Sequence, residues 1–315
     1  MAKILTLTLN PALDITIGLD TLRPGQVNRS QVQHSHAAGK GLNVAQVLAD
    51  LGHSVTVGGF LGSDNLQPFE TLIQWRGFAD CFVRVPGETR SNIKLVEADG
   101  RVTDINGQGP EVDEAARSAL LRLLEQVAAG HDAVVVAGSL PRGISAEWFR
   151  QLLERLKALG LKVALDSSGE ALRAGLQSAP WLVKPNTEEL GEVLGLAVEN
   201  PQQQRAAAAR LLANGIEHVV VSAGEQGVSW FSRDLDMHAC PPKVRVASTV
   251  GAGDSLVAGM VHGLLQGEAP AQTLSRATAI AAQAVTQVGF GIRDRVQLAR
   301  LEAAVQLTEQ QEGCR

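Results

Sequence analysis

The stretch AVVVAGSLPRGISAEWFRQLLERLKALGLKVALD, residues 133–166, opens and closes on short Val/Ala/Leu runs and carries an amphipathic helical pattern between them. A strand, a helix and a second strand in that order form the unit of a parallel sheet, because parallel neighbours need a long crossover and a helix supplies it. The alternation continues outward, with KILTLTL, LNVAQVLADLG and VTVGGFLG before it and WLVKPN and HVVVSAG after it. Strands that are apolar nearly throughout imply a parallel sheet covered by helices on both faces, an α/β fold. The last third, from about residue 253 to residue 305, is expected to be mainly helical. Residues 14–35 and 86–106, rich in Thr, Val, Asn and Gly, break the rhythm. They are expected to form short antiparallel strands, a small β excursion of the kind that closes over a site as a lid. No internal repeat or low-complexity linker divides the chain, and only the terminal TEQQEGCR is expected to fray.

With 315 residues, 45% of them hydrophobic and 19% charged, the chain reads as globular, and a net charge of −5 offers no electrostatic footprint for nucleic acid. Small molecules are the expected partners. Cys81, Cys240 and Cys314 are odd in number and far apart, so neither a disulfide framework nor a CxxC metal site is suggested, which fits a reducing cytoplasm. The N-terminal MAKILTLTLN enters a strand pattern directly, and no apolar run approaches the ~18 residues of a membrane span. No contact with a membrane is expected.

In open parallel sheets ligands bind outside the carboxyl ends of the strands. Asp14, Ser139, the run KPNTEE and the run AGEQG all follow predicted strands. In STVGAGDSLVAGM, residues 248–260, a Gly-Ala-Gly turn opens a helix, and the unpaired amides of such a turn attract anions. Asp254 is then either a first-turn residue favoured by the helix dipole or a general base beside a phosphoryl group. HAAGKGLNVAQVL places Gly39, Lys40 and Gly41 at another helix start. It lacks the Gly-x4-Gly-Lys-Ser/Thr spacing of a P-loop, leaving a surface lysine in a loose turn or a phosphate contact by the glycine amides, Lys40 and Asn43. Arg90, Asn92 and Lys94 share one face of a strand, solvated or turned into a cleft. Asn186 and Glu189, three apart, suit either a capping box or the hydration shell of a Mg²⁺ ion. Ser222, Gly224 and Gly227 suit either a hairpin connection or a turn beneath nucleotide phosphates. His34 and His36 lack a third ligand and are taken as ordinary polar residues. The GxGxxG fingerprint of a dinucleotide-binding fold does not follow the first strand.

Together TLNPALD, HAAGKGLNVA, GGFLG, TRSNIKL, GSLP, DSSGEAL, LVKPNTEEL, VSAGEQG and STVGAGDSLVAG, spanning about residues 4–300, resemble the ribokinase-like (PfkB) sugar kinases. The resemblance implies a ribokinase-like, doubly wound, mostly parallel sheet flanked by helices with a small β-sheet lid, all within one kinase domain over residues 1–315. It implies that Asp254 is the catalytic base and that Gly251, Ala252 and Gly253 form the anion hole. ATP would lie along Lys184, Asn186, Ser222, Gly224 and Gly227, with Mg²⁺ near Asn186 and Glu189, largely through water. Asp14, Gly39, Lys40, Asn43, Arg90 and Ser139 would hold a sugar phosphate. Lys40 resembles the branch that phosphorylates fructose 1-phosphate at C6. Tagatose 6-phosphate or another ketose phosphate is the alternative substrate, and a non-catalytic sugar-phosphate sensor the alternative class. A homodimer formed through the lid, and a monovalent cation on loop carbonyls near Ser248 and Val250, are further implications. Ala38 and Ser91 depart from the family pattern without removing a reacting group.

Overall fold

A computed structural model describes residues 1–309. Strand β1 (Lys3–Thr8) is the third strand from one edge of a ten-stranded sheet. On one side it pairs with β4 (Ser54–Gly62), followed by β5 (Ala79–Val85); on the other come β8 (Ala133–Ala137), β9 (Lys162–Asp166), β10 (Leu182–Val183) and β11 (His218–Ser222), all parallel. Strands β12 (Val228–Ser232), β13 (Leu235–Cys240) and β14 (Gln306–Glu309) extend the β11 edge antiparallel.

Helices α1 (Lys40–Asp50), α2 (Gln67–Arg76), α8 (Ala252–Gln266), α9 (Pro270–Ala284) and α10 (Arg295–Ala304) belong to one face. Helices α3 (Glu114–Ala128), α4 (Ala146–Ala158), α5 (Gly169–Gln177), α6 (Thr187–Leu194) and α7 (Pro201–Ala213) cover the other. The two-residue period of a strand sends alternate side chains to opposite layers. Leu5, Leu7, Val134, Val136, Val163, Leu165, Val219 and Val221 join the core under α3–α7. Ile4, Val135, Ala164 and Val220 join the core beneath α1, α8 and α9. Each large side chain so buried contributes roughly 1.5–3 kcal/mol. Helix α4 shows the local logic: Ser145 caps it by accepting from the Trp148 amide, and Phe149, Leu152, Leu153 and Leu156 form its buried stripe.

A second sheet of four strands, β2 (Ala12–Leu19), β3 (Val32–Ala38), β6 (Arg90–Glu97) and β7 (Val102–Asn106), runs in the order β3-β2-β6-β7. The expected all-antiparallel arrangement is corrected at its centre. The two outer pairs are antiparallel hairpins, but β2 and β6 are parallel, because the chain between them crosses over through α1, β4, α2 and β5. The expected fraying from Thr308 is also corrected, since Thr308 and Glu309 pair with β13. Residues 310–315, with Cys314, lie outside the described residues, while Cys81 and Cys240 are free thiols. No helix among the described residues is long and apolar enough to cross a membrane.

Candidate active site

The carboxyl ends of β9 and β10, through Asp166 and Lys184, lie at the start of α8. Gly251, the N-cap of that helix, has φ 83°, a left-handed conformation that favours glycine. No side chain caps the helix, so its first amides stand open to an anion. Asp254 sits in the first turn, where the dipole favours it, yet its carboxylate is engaged across the fold: Asn43 Nδ2 of α1 donates to Asp254 Oδ2 at 2.8 Å.

A carboxylate not singled out from the sequence organises the rest. Asp166, fully buried at the end of β9, has its Oδ1 3.3 Å from Lys40 Nζ and 3.3 Å from Lys184 Nζ. Two carboxylates and two ammonium groups thus share a nearly dry site, and the ions compensate one another. The Lys40 side chain is 38% exposed against 5% for Lys184, so Lys40 is the one able to turn toward a ligand. Burial pushes the Asp254 carboxyl up to about 6, and the like charge of Asp166 adds to the rise, while Lys40, the Asn43 bond and Lys184 oppose it. Burial pulls the Lys40 ammonium down, but Asp166, Asp254 and Glu189 outweigh it and hold its pKa above the ordinary value.

Asn186 and Glu189 form a full capping box at the start of α6. Asn186 Oδ1 accepts from the Glu189 amide at 2.7 Å, and Glu189 Oε2 accepts from the Asn186 amide at 2.9 Å. Among the described residues, Asp166 Oδ2 is one of several buried side-chain oxygens without a protein partner, Asn43 Oδ1 in the same site being another. A carboxylate oxygen in need of a partner, in a site where Asp166 and Glu189 both act on Lys40, fits a hard divalent cation that keeps part of its water shell. Asn186 bridges to Ser222 at the end of β11, whose amide donates to Pro185 O. Gly224 opens a short 3₁₀ turn that joins β11 to β12, with Ala223 donating to Gly227 O at 2.8 Å, so this segment is a hairpin connection at the strand ends.

The second sheet contributes a cavity of about 320 Å³, lined in part by Asp14, His36, Asn92 and Lys94, with Ser248, Val250 and Phe290 opposite. Asn92 donates to Asp14 Oδ1 at 3.0 Å. Burial raises the Asp14 carboxyl above its ordinary value despite that bond and the charges of His36, Arg90 and Lys94. Arg90 lies at the root of the sheet: its Nη2 donates to Asn10 O at 3.1 Å and its Nη1 to Gly107 O at 3.3 Å. Main-chain carbonyls hold the guanidinium, and Asp14 is the carboxylate whose charge reaches it. Ser139 Oγ accepts from Asn10 Nδ2 at 3.2 Å, and Gly39 is the N-cap of α1 with φ 139°.

The structure therefore brings Lys40, Asn43, Lys184, Asp254 and the 251–253 turn together and places Asp14 and Asn92 on the wall of an adjoining cavity. Asp166 and Asn10 were missed although each directly ends or follows an apolar strand, the position at which function gathers in parallel sheets. His36, set aside as an ordinary polar residue, lines the cavity; Phe290, in a loop without periodicity, carried no signal.

The family profile described as pfkB family carbohydrate kinase matches residues 7–294. The chain is 46% identical over 306 residues to 1-phosphofructokinase of Vibrio cholerae, covering 97% of this chain and 96% of that protein. It is 46% identical over 305 residues to 1-phosphofructokinase of Escherichia coli strain K12, covering 97% and 98%. The crystal structure of phosphofructokinase-2 from Escherichia coli in complex with potassium superposes with a TM-score of 0.87 at 29% identity, covering 96% of this chain and 99% of that one.

Proposed function

The chain belongs to the pfkB family of carbohydrate kinases, and we propose that within it the site transfers the γ-phosphoryl group of ATP to the C6 hydroxyl of fructose 1-phosphate, giving fructose 1,6-bisphosphate and ADP. The observation that carries this reading is Asp254. It is a buried carboxyl with a pKa near 6, held by Asn43 at the open N-terminus of α8 and flanked by Lys40 and Lys184. A group of that pKa accepts a proton near neutral pH. The C6 oxygen forms its bond to phosphorus as the bond to the ADP oxygen breaks, and the hydroxyl proton passes to Asp254. Charge on the phosphoryl oxygens meets the Gly251, Ala252 and Gly253 backbone and the two lysines, so positioning and electrostatics supply most of the acceleration.

Asp14, Gly39, Lys40, Asn43, Arg90 and Ser139 hold the sugar phosphate. The carbonyl-held guanidinium of Arg90 and the exposure of Lys40 support them as the phosphate-binding cations. Lys184, Asn186, Ser222, Gly224 and Gly227 border the nucleotide, supported by their common place at the carboxyl ends of β10 and β11. Mg²⁺, when bound, neutralises the nucleotide phosphates; Asp166 Oδ2 and, through water, Asn186 and Glu189 would hold it. The 248–250 loop is the proposed seat of a monovalent cation, supported by the potassium complex of the superposed phosphofructokinase-2.

The second sheet, as a lid over the site, is also the proposed homodimer contact. Ile15, Ile93 and Ile105 stand opposite one another across three of its strands, none of them buried. The free thiols of Cys81 and Cys240 fit a cytoplasmic setting.

The test is kcat/KM for fructose 1-phosphate, fructose 6-phosphate and tagatose 6-phosphate measured side by side. A lead of orders of magnitude for the 1-phosphate is expected, because a site that hydrogen-bonds the anomeric hydroxyl strands those groups when the ring is reversed. Parity, or a lead for either 6-phosphate, overturns the substrate.

A further inference from the structure

The loop at residues 288–293 belongs to no helix or strand, yet it forms a wall of the site. Its Val288, Gly289 and Phe290 face the 320 Å³ cavity beside Asp14, Asn92 and Lys94. A Cβ built on Gly251 would lie 2.8 Å from Phe290 Cε1, so the phenyl ring rests directly on the glycine that opens α8. The same ring meets His36 of β3 edge-on, with centroids 5.8 Å apart.

Beside the bond from Gln287 Nε2 to Gly291 O at 2.7 Å, what ties this wall to α1 is a carboxylate that the phosphoryl-transfer chemistry does not use. Asp50 is the last residue of α1, where the helix dipole opposes a negative charge. Its Oδ2 accepts from the Ile292 amide at 2.7 Å, and its Oδ1 accepts from Arg76 Nη2 at 2.7 Å. Arg295 donates to its backbone carbonyl at 2.6 Å. Gly291, with φ 91°, approaches so closely that a Cβ there would lie 2.5 Å from Asp50 Oδ2. Arg76 also donates to Gln46 O at 2.6 Å, so it stays bound to α1 even without Asp50.

We propose that Asp50 is a positioning residue: through the Ile292 amide it sets the 288–293 loop so that Phe290 stays against Gly251 and His36, closing the sugar-phosphate side of the site. Helix α1 then serves the reaction at both ends. Asn43 near its start holds Asp254, and Asp50 at its end holds the wall opposite the second sheet. The kinetic part of this proposal rests on the kinase reading above; the placement of the loop does not.

Two readouts test it, on Asp50→Ala, Asp50→Asn and Arg76→Met. In Asp50→Ala the KM for fructose 1-phosphate should rise about tenfold and kcat should fall several-fold, with the KM for ATP within twofold. Asp50→Asn, which keeps an acceptor oxygen, should recover most of the loss. Arg76→Met should lower the melting temperature while leaving the kinetic constants within twofold, since the bond to Ile292 remains. In ligand-free protein, amide exchange across residues 287–294 should be about tenfold faster in Asp50→Ala and unchanged in Arg76→Met. If Asp50→Ala does not fold, the comparison is Asp50→Ser, whose hydroxyl is too short to reach the Ile292 amide, against Arg76→Met, with faster loop exchange expected only in the former. Equal loop exchange in the compared variants, or losses in Asp50→Ala that Arg76→Met reproduces, overturns the proposal. A wild-type protein that does not turn over fructose 1-phosphate overturns the kinase reading instead, and the exchange data still decide the loop.

Discussion

Asn43 donates to Asp254 across 211 residues of sequence, at 2.8 Å and out of contact with bulk water. That bond joins the first helix of the fold to the eighth and holds the carboxylate where the charges of Lys40 and Lys184 reach it. Replacing Asp254 with Asn keeps the shape and removes the proton acceptor. Turnover is expected to fall by about 10²–10⁴-fold with little change in sugar-phosphate affinity. Near-wild-type kcat in the purified variant would sink the assignment.

The raised Asp254 pKa sets a pH dependence. The base works only when deprotonated, so kcat/KM should climb with pH through about 6. Asn43→Val, by removing a bond that favours the carboxylate, should move that limb to higher pH. An acid limb that stays in place in this variant would detach the limb from Asp254.

The same shift has a stability counterpart. A folded-state pKa above the unfolded value of 3.8 gives a contribution that is complete below pH 3.8 and lost as pH rises through about 6. The loss is about 3 kcal/mol at most, from roughly two pKa units at 1.36 kcal/mol each. Asp254→Asn should therefore gain melting temperature over the wild type at pH 8 and lose that advantage at pH 4. A pH-independent difference between the two would contradict the linkage.

Asp166 compensates two ammonium groups at once. Asp166→Asn leaves Lys40 and Lys184 without their buried partner, a change expected to cost about 3–5 kcal/mol. It also removes the like charge that helps raise Asp254, so the surviving activity should show its acid limb at lower pH. Denaturant unfolding and a pH–rate profile measure the two effects; an unshifted limb would show that Asp166 does not act on Asp254.

Arg90→Ala is expected to raise the KM for the sugar phosphate far more than the KM for ATP. Equal effects on both substrates would mean that the guanidinium serves only to tie Asn10 to Gly107.

Much of this was legible in the chain itself, because it depends on short-range rules. The apolar runs around residues 133–166 specify a doubly covered parallel sheet, since every residue of such a strand faces a core. The three-residue spacing of Asn186 and Glu189 makes a capping box one of two readings, since both partners lie within one helical turn. Asp254 stood out because it follows a glycine turn at a predicted helix start.

Other features are decided only in three dimensions. The parallel pairing of β2 with β6 depends on a crossover through the main sheet, which no local pattern encodes. Asp166 draws in Lys40 from 126 residues away because the carboxyl end of β9 and the start of α1 arrive at the same edge of the sheet. Phe290 lies on Gly251, and Asp50 on Ile292, because α1, α8 and the 288–293 loop pack on one face. Periodicity tells which side of an element is buried; which residues of two distant elements then touch is set by the packing of those faces, where close contact leaves room for one arrangement.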